Sequence, residues 1–286
     1  MIAALHKALT PIAMKKIIFN HFLLFFVLFL VSSCSTSSFF YAPEKKLAGS
    51  PDPATYSVEE INFRSGNGNT LNGWFLKPKT GTPKATVLQL HGNGGNISYQ
   101  YQFAEPLVKA GYQVMVFDYE GYGNSTGSPS QEKVLDDGIC ALKYARSRDD
   151  VKGTKLILFG QSLGGHLSCV VAAQENNLID ALVIEGAFSG HERMAVFVGK
   201  EHGAPKWVAK MLVKTKYEGI DYIGKVTVPI LIIHSTEDET CPYFMGQDLY
   251  AKATAKKEFW EIKGGHIQAS RLYGKEFVAH FDKLIE

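Results

Sequence analysis

The chain has 286 residues, enough for one sizeable domain with a well-buried core. Its 45% hydrophobic and 20% charged residues exclude a disordered or fibrous protein. A net charge of +2, with no Lys/Arg-rich run, excludes a strong nucleic-acid or polybasic membrane footprint.

The first stretch reads as a targeting segment. Met14-Lys15-Lys16 is a basic start, residues 17–31 are apolar but for Asn20 and His21, and Ser32-Ser33-Cys34 follows. Met14 then serves as the true start, since residues 1–13 add nothing that a signal needs. Val31-Ser32-Ser33-Cys34 resembles a bacterial lipobox. That resemblance implies a signal peptide over 1–33, cleavage before Cys34, and lipidation that anchors the mature protein in the cell envelope. Ser35 in place of Asp favours the outer membrane by the same analogy. The alternative is an uncleaved anchor, although the apolar run is shorter than the ~20 residues of a spanning helix. Residues 34–55 mix Ser, Pro and Gly and read as a tether.

From Tyr56 the pattern becomes that of a folded domain. Tyr56–Phe63 and Leu71–Leu76 alternate and are split by Ser65-Gly66-Asn67-Gly68-Asn69, which predicts a β-hairpin. Six continuous apolar runs follow: Ala85–Leu90, Tyr112–Phe117, Lys155–Phe159, Ala181–Ile184, Pro229–His234 and Glu258–Ile262. Such runs suit strands buried on both faces of a parallel sheet. Helical patterns lie between them, clearest at Ser130–Arg146 and Leu163–Gln174. Strand–helix alternation predicts an α/β doubly wound sheet with helices on both faces. The four cysteines, Cys34, Cys140, Cys169 and Cys241, match no zinc framework or dense disulfide pattern.

In such a sheet, chemistry is to be sought just past the carboxyl ends of the strands. After Leu158-Phe159 comes Gly160-Gln161-Ser162-Leu163-Gly164. A serine raised on a sharp strand-to-helix turn needs glycines on both sides, because a β-carbon there would collide. The pattern predicts Ser162 as a nucleophile, whereas the plainer alternative is a glycine-rich helix start. A serine needs a base. Of nine histidines, His266 follows the last apolar run in a glycine-flanked loop, and it completes the order Ser…Asp…His. The carboxylate should come from Glu237-Asp238-Glu239 after the strand ending at His234. Asp238 is the choice, with Glu237, Glu239 and Glu185 as alternatives. Two backbone N–H groups are expected to form an oxyanion hole, one from Leu163 and one from Asn93 in the loop His91–Asn96.

Together these residues resemble the α/β-hydrolase superfamily, and more closely its small serine hydrolases related to prolyl-oligopeptidase-like peptidases. The likeness rests on His91-Gly92-Asn93-Gly94-Gly95-Asn96, on Asp118-Tyr119-Glu120-Gly121-Tyr122-Gly123-Asn124-Ser125, on Gly160–Gly164 and on His234–Pro242. It implies an α/β-hydrolase fold over 56–286, with a mostly parallel sheet of about eight strands and a short helical cap at about 189–228. It implies Ser162, Asp238 and His266 as nucleophile, acid and base. The departure is Thr240-Cys241 before Pro242, where two apolar residues are usual. Asp118 and Tyr119 are expected to shape the loop beside the site. The expected reaction is hydrolysis of a carboxylic ester or thioester through an acyl-enzyme, a chemistry that requires neither metal nor organic cofactor. A small-molecule or lipid-derived ester is the expected substrate. A serine peptidase and a catalytically silent binding lipoprotein on the same fold stand as alternatives.

Overall fold

The strand Leu156–Gln161 is buried along its whole length, as are its neighbours Thr86–Leu90 and Ala181–Glu185. Both faces must therefore be covered, which is what continuous apolar runs demand. The computed structural model describes residues 40–213 and 215–286. The expected signal segment and Cys34 lie outside the described residues. Among those described, no helix is long and apolar enough to cross a membrane.

Two short strands, β1 (Ala42–Pro43) and β5 (Gly94–Gly95), pair in parallel apart from the main sheet. The main sheet comprises β2 (Ser57–Arg64), β3 (Thr70–Lys77), β4 (Thr86–Leu90), β6 (Gln113–Phe117), β7 (Leu156–Gln161), β8 (Ala181–Glu185), β9 (Ile230–Ser235) and β10 (Lys257–Ile262). Its order is β10-β9-β8-β7-β4-β6-β3-β2. The six strands from β10 to β6 run parallel, and the β2–β3 hairpin adds the antiparallel edge. The α/β-hydrolase architecture is thus as expected, hairpin included.

Alternate residues of each strand feed two cores. Leu88, Met115, Leu158, Leu182 and Ile232 face one, while Val87, Val114, Ile157, Val183 and Leu231 face the other. The longer helices are α1 (Gln131–Ser147), α2 (Leu163–Gln174), α3 (His191–Glu201), α4 (Lys206–Leu212), α5 (Tyr243–Lys252) and α6 (Gly274–Ile285). Helices α1 and α2 pack on the first core through Val134, Leu142 and Val170, and α6 packs on the second through Phe277 and Phe281. The side chain of Ser130 caps α1 by accepting from Lys133 N–H. Helices α3 and α4 occupy the stretch read from the sequence as a cap, with Trp207 and Met211 of α4 exposed.

The stretch expected to be a tether is docked over its first described part. Phe40 and Tyr41 are buried in the first core. Ala42 N–H donates to Asn93 O at 3.0 Å, and Glu44 N–H to Gly95 O at 3.0 Å. The physical reason is the aromatic pair. Burying two such rings is worth roughly 1.5–3 kcal/mol each, and with these backbone hydrogen bonds it offsets the entropy lost in ordering the segment.

Candidate active site

Ser162 stands between β7 and α2 with φ 54° and ψ −116°. This positive φ is costly for a side-chain-bearing residue and persists only where its surroundings hold it. They do so from both sides. Ser162 N–H donates to Glu185 O at 2.9 Å, and His166 N–H donates to Ser162 O at 3.1 Å to start the helix. The glycines of the turn are required by contact. A β-carbon on Gly160 would strike Ser168 Oγ and Gly164 O, and one on Gly164 would strike the carbonyls of Leu90 and His91. Gly165 would meet Ala187 Cβ at 2.7 Å.

Past β9, Asp238 is buried and its Oδ1 accepts N–H bonds from Thr240 (2.9 Å) and Cys241 (2.8 Å). Its Oδ2 lies 2.7 Å from Nδ1 of His266. Burial works to raise this carboxyl, but the bond to His266, the charge that His266 can carry, the Cys241 N–H and His234 together hold it below the usual carboxylate value. His266 is followed by Ile267 at φ 48°. The His266 ring lies over Gly186, where a β-carbon would come within 3.1 Å of Cε1. Gly186 directly follows Glu185, whose carbonyl holds Ser162, so the imidazole and the serine occupy neighbouring strand ends.

A pocket of about 290 Å³ opens beside Ser162, and Asn93 and Leu163 line it together with that serine. The Asn93 carbonyl is held by two donors, Ala42 N–H at 3.0 Å and the Tyr122 hydroxyl at 2.8 Å. The loop is braced further by Tyr119, whose hydroxyl donates to His91 O, and by Asp118, whose Oδ1 accepts Ile97 N–H.

The comparisons with known proteins agree with this architecture. Residues 85–211 match the α/β hydrolase fold family. The chain is 34% identical to YfhR of Escherichia coli O157:H7 over 260 residues, covering 89% of this chain and 88% of that one. It is 30% identical to the α/β hydrolase domain-containing protein WAV2 of Arabidopsis thaliana, covering 76% of this chain and 75% of that one. The chain belongs to the α/β-hydrolase family. Among solved structures, the esterase Pf2001 of Pyrococcus furiosus shares the fold with a TM-score of 0.71 at 17% identity, covering 86% of this chain and 97% of that one. Est1E from Butyrivibrio proteoclasticus, with ferulic acid bound, gives 0.64 at 21% identity, covering 78% and 98%. At these identities the likeness is one of fold.

Several groups around this candidate site have roles that were not read from the sequence. Glu185, considered there only as an alternative acid, is fully buried and anchors the His266 loop. Its Oε1 accepts Ala269 N–H at 2.8 Å, and its Oε2 accepts Gln161 Nε2 at 2.7 Å. Gln89 Nε2 in turn donates to Gln161 Oε1 at 2.8 Å. Burial pushes the Glu185 carboxyl up, against the pull of its two donors. Glutamines inside otherwise apolar strands were the signal for this network. Cys241 lines the same pocket as Ser162, and burial pushes its thiol up.

Behind the pocket, His166, His191 and Glu218 bring their ligand-type atoms within 4.8 Å of one another. The protein's own groups hold them. The His166 nitrogens lie 3.3 Å from the carbonyls of Phe188 and Tyr217, and Glu218 accepts the N–H groups of His191 and Glu192 at the start of α3. Burial pushes His166 down to about 4, so it is neutral at pH 7. The trio ties the cap to the domain.

Proposed function

We propose that the chain is a serine hydrolase that cleaves carboxylic esters or thioesters, with Ser162 as nucleophile, His266 as base and Asp238 as its orienting carboxylate. The observation that carries this reading is the His266–Asp238 bond at the strand end next to the strained Ser162 turn. Asp238 fixes the imidazole with Nδ1–H toward itself, leaving Nε2 free to take the serine proton. The hydroxyl oxygen then attacks the acyl carbon, and the N–H groups of Leu163 and Asn93 hold the developing oxyanion. Each such donor is worth about 3–4 kcal/mol in the transition state. The proton on His266 passes to the leaving alkoxide or thiolate, which departs as alcohol or thiol. Water, deprotonated by the same imidazole, releases the acid and restores Ser162. Removal of a β-carbon at Gly160 and Gly164, and strain at Ser162, serve this presentation of the hydroxyl.

The test is labelling with a fluorophosphonate probe, followed by a panel of p-nitrophenyl esters and aminoacyl anilides. Labelling of the wild type that is lost in Ser162→Ala, with ester turnover above anilide turnover, supports the reading. Anilide preference makes it a peptidase, and an unlabelled folded wild type makes it a binding protein. On the sequence of residues 31–34 we propose further that Cys34 is lipidated in the cell envelope. Mass spectrometry of the mature amino terminus checks this, and an unmodified Cys34 in an uncleaved chain sinks it.

A further inference from the structure

The pocket beside Ser162 is walled by Phe40, Leu163, Phe188, Met194, Val198 and Cys241, and none of its described lining residues carries a charge. Five of these walls belong to the catalytic domain and its cap. Phe40 does not: it comes from the segment that precedes the first strand of the main sheet.

That segment is fastened to the loop that carries Asn93. Residues 42–43 pair with 94–95 as a parallel ribbon. Asn96 Nδ2 donates to the carbonyls of Glu44 and Lys46, both at 2.9 Å, and Gly123 N–H donates to Glu44 O at 3.0 Å. Lys45 Nζ donates to Ser125 O at 2.7 Å. The Phe40 ring packs edge-on against His191 with centroids 4.5 Å apart, and against Phe188 at 5.9 Å. A side chain held by backbone pairing on one side and by aromatic contacts on the other is a fixed wall.

We propose that Phe40, held in place by the strap of residues 41–46, is part of the substrate site and sets the length of acyl chain accepted there, and that the acyl group is uncharged and apolar. This rests on the hydrolase reading above and names its substrate class. A methylene that finds apolar wall gains about fourfold in transition-state binding, whereas one that meets the ring of Phe40 gains nothing. A carboxylate at the far end of the acyl chain would lose its water without a partner in this pocket, which disfavours acidic substrates.

The experiment compares the full-length wild type with Phe40→Leu and Phe40→Trp. It uses p-nitrophenyl esters from acetate to dodecanoate, p-nitrophenyl hydrogen glutarate, and alkylphosphonate inactivators of matching lengths. The expected result is a shift in opposite directions. The ratio of kcat/KM for the longest accepted ester to that for acetate rises at least fivefold in Phe40→Leu and falls at least fivefold in Phe40→Trp. The phosphonates follow the same order, and wild type disfavours the glutarate ester at least tenfold against pentanoate. If both variants keep the wild-type chain-length order while the phosphonates still label Ser162, the strap proposal falls and the hydrolase reading stands. Equal use of glutarate and pentanoate overturns the apolar class. A wild type that no phosphonate labels overturns both readings together.

Discussion

His266 Nδ1 and Asp238 Oδ2 lie 2.7 Å apart, although 28 residues and strand β10 separate them in the chain. The parallel β9–β10 pairing, with Glu261 opposite His234 and Ile262 opposite Ser235, brings the two following loops out at the same edge. Two N–H bonds from Thr240 and Cys241 to the other carboxylate oxygen fix the aspartate, so the histidine is oriented by a rigid partner.

Asp238→Asn keeps the volume and removes the charge. The amide offers no negative partner to an imidazolium and can favour the wrong tautomer. The expected outcome is a fall in kcat of about 10³–10⁴, with KM changed little. Steady-state kinetics on a p-nitrophenyl ester would show it. A loss of less than tenfold would mean that Asp238 is not the partner that matters.

Much of this arrangement was legible in the sequence. Continuous apolar runs announce strands buried on both faces, and their ends point to Ser162, Asp238 and His266 in turn. What escaped was carried by residues whose role depends on distant neighbours. Phe40 sits in a Ser/Pro-rich stretch whose average composition hides one aromatic pair. Gln89, Gln161 and Glu185 lie on three different strands, and only the order β8-β7-β4 brings them into one network. Ile267, with φ 48°, is a β-branched residue in a conformation that no sequence rule assigns to it.

Glu185 gives a second prediction, because it holds the loop after His266 without facing the pocket itself. Glu185→Ala leaves Ala269 N–H and the Gln161 amide buried without their acceptor. A cost of about 1–3 kcal/mol per orphaned group is expected in urea unfolding. Hydrogen exchange at the Ala269 amide should quicken, and kcat should fall more than KM rises as His266 loses its fixed position. Unchanged exchange at Ala269 would contradict the anchoring role.

The glycine contacts predict a sharp contrast between two alanine substitutions. In Gly164→Ala the new methyl meets the carbonyls of Leu90 and His91, backbone atoms that cannot turn aside. Destabilisation of about 3 kcal/mol or more is expected. In Gly265→Ala, next to His266, nothing lies within 4 Å of the new β-carbon. Its stability should stay within about 0.5 kcal/mol of wild type. Thermal melts of the two variants decide it, and equal melting temperatures would refute the close-packed turn.

Asp137 supplies the pH dependence. It lies on α1, buried, with Oδ2 accepting Glu120 N–H at 2.8 Å, and its Oδ1 has no partner among the described residues. Burial pushes this carboxyl up to about 8, against the pull of the Glu120 N–H. Folding therefore favours the protonated form. Between about pH 4 and 8 the folded chain keeps a proton that the unfolded chain releases. The contribution of Asp137 is fully present below the ordinary aspartate value and is lost as pH rises through about 8. Asp137→Asn does not titrate, so its stability relative to wild type should climb as pH is raised from 4 to 8, by at most about 1.4 kcal/mol per pH unit. Paired melts across that range measure the difference directly and cancel the other buried groups, His91, Asp118 and His166 among them. A difference that stays flat with pH would show that Asp137 is ionised in the folded chain.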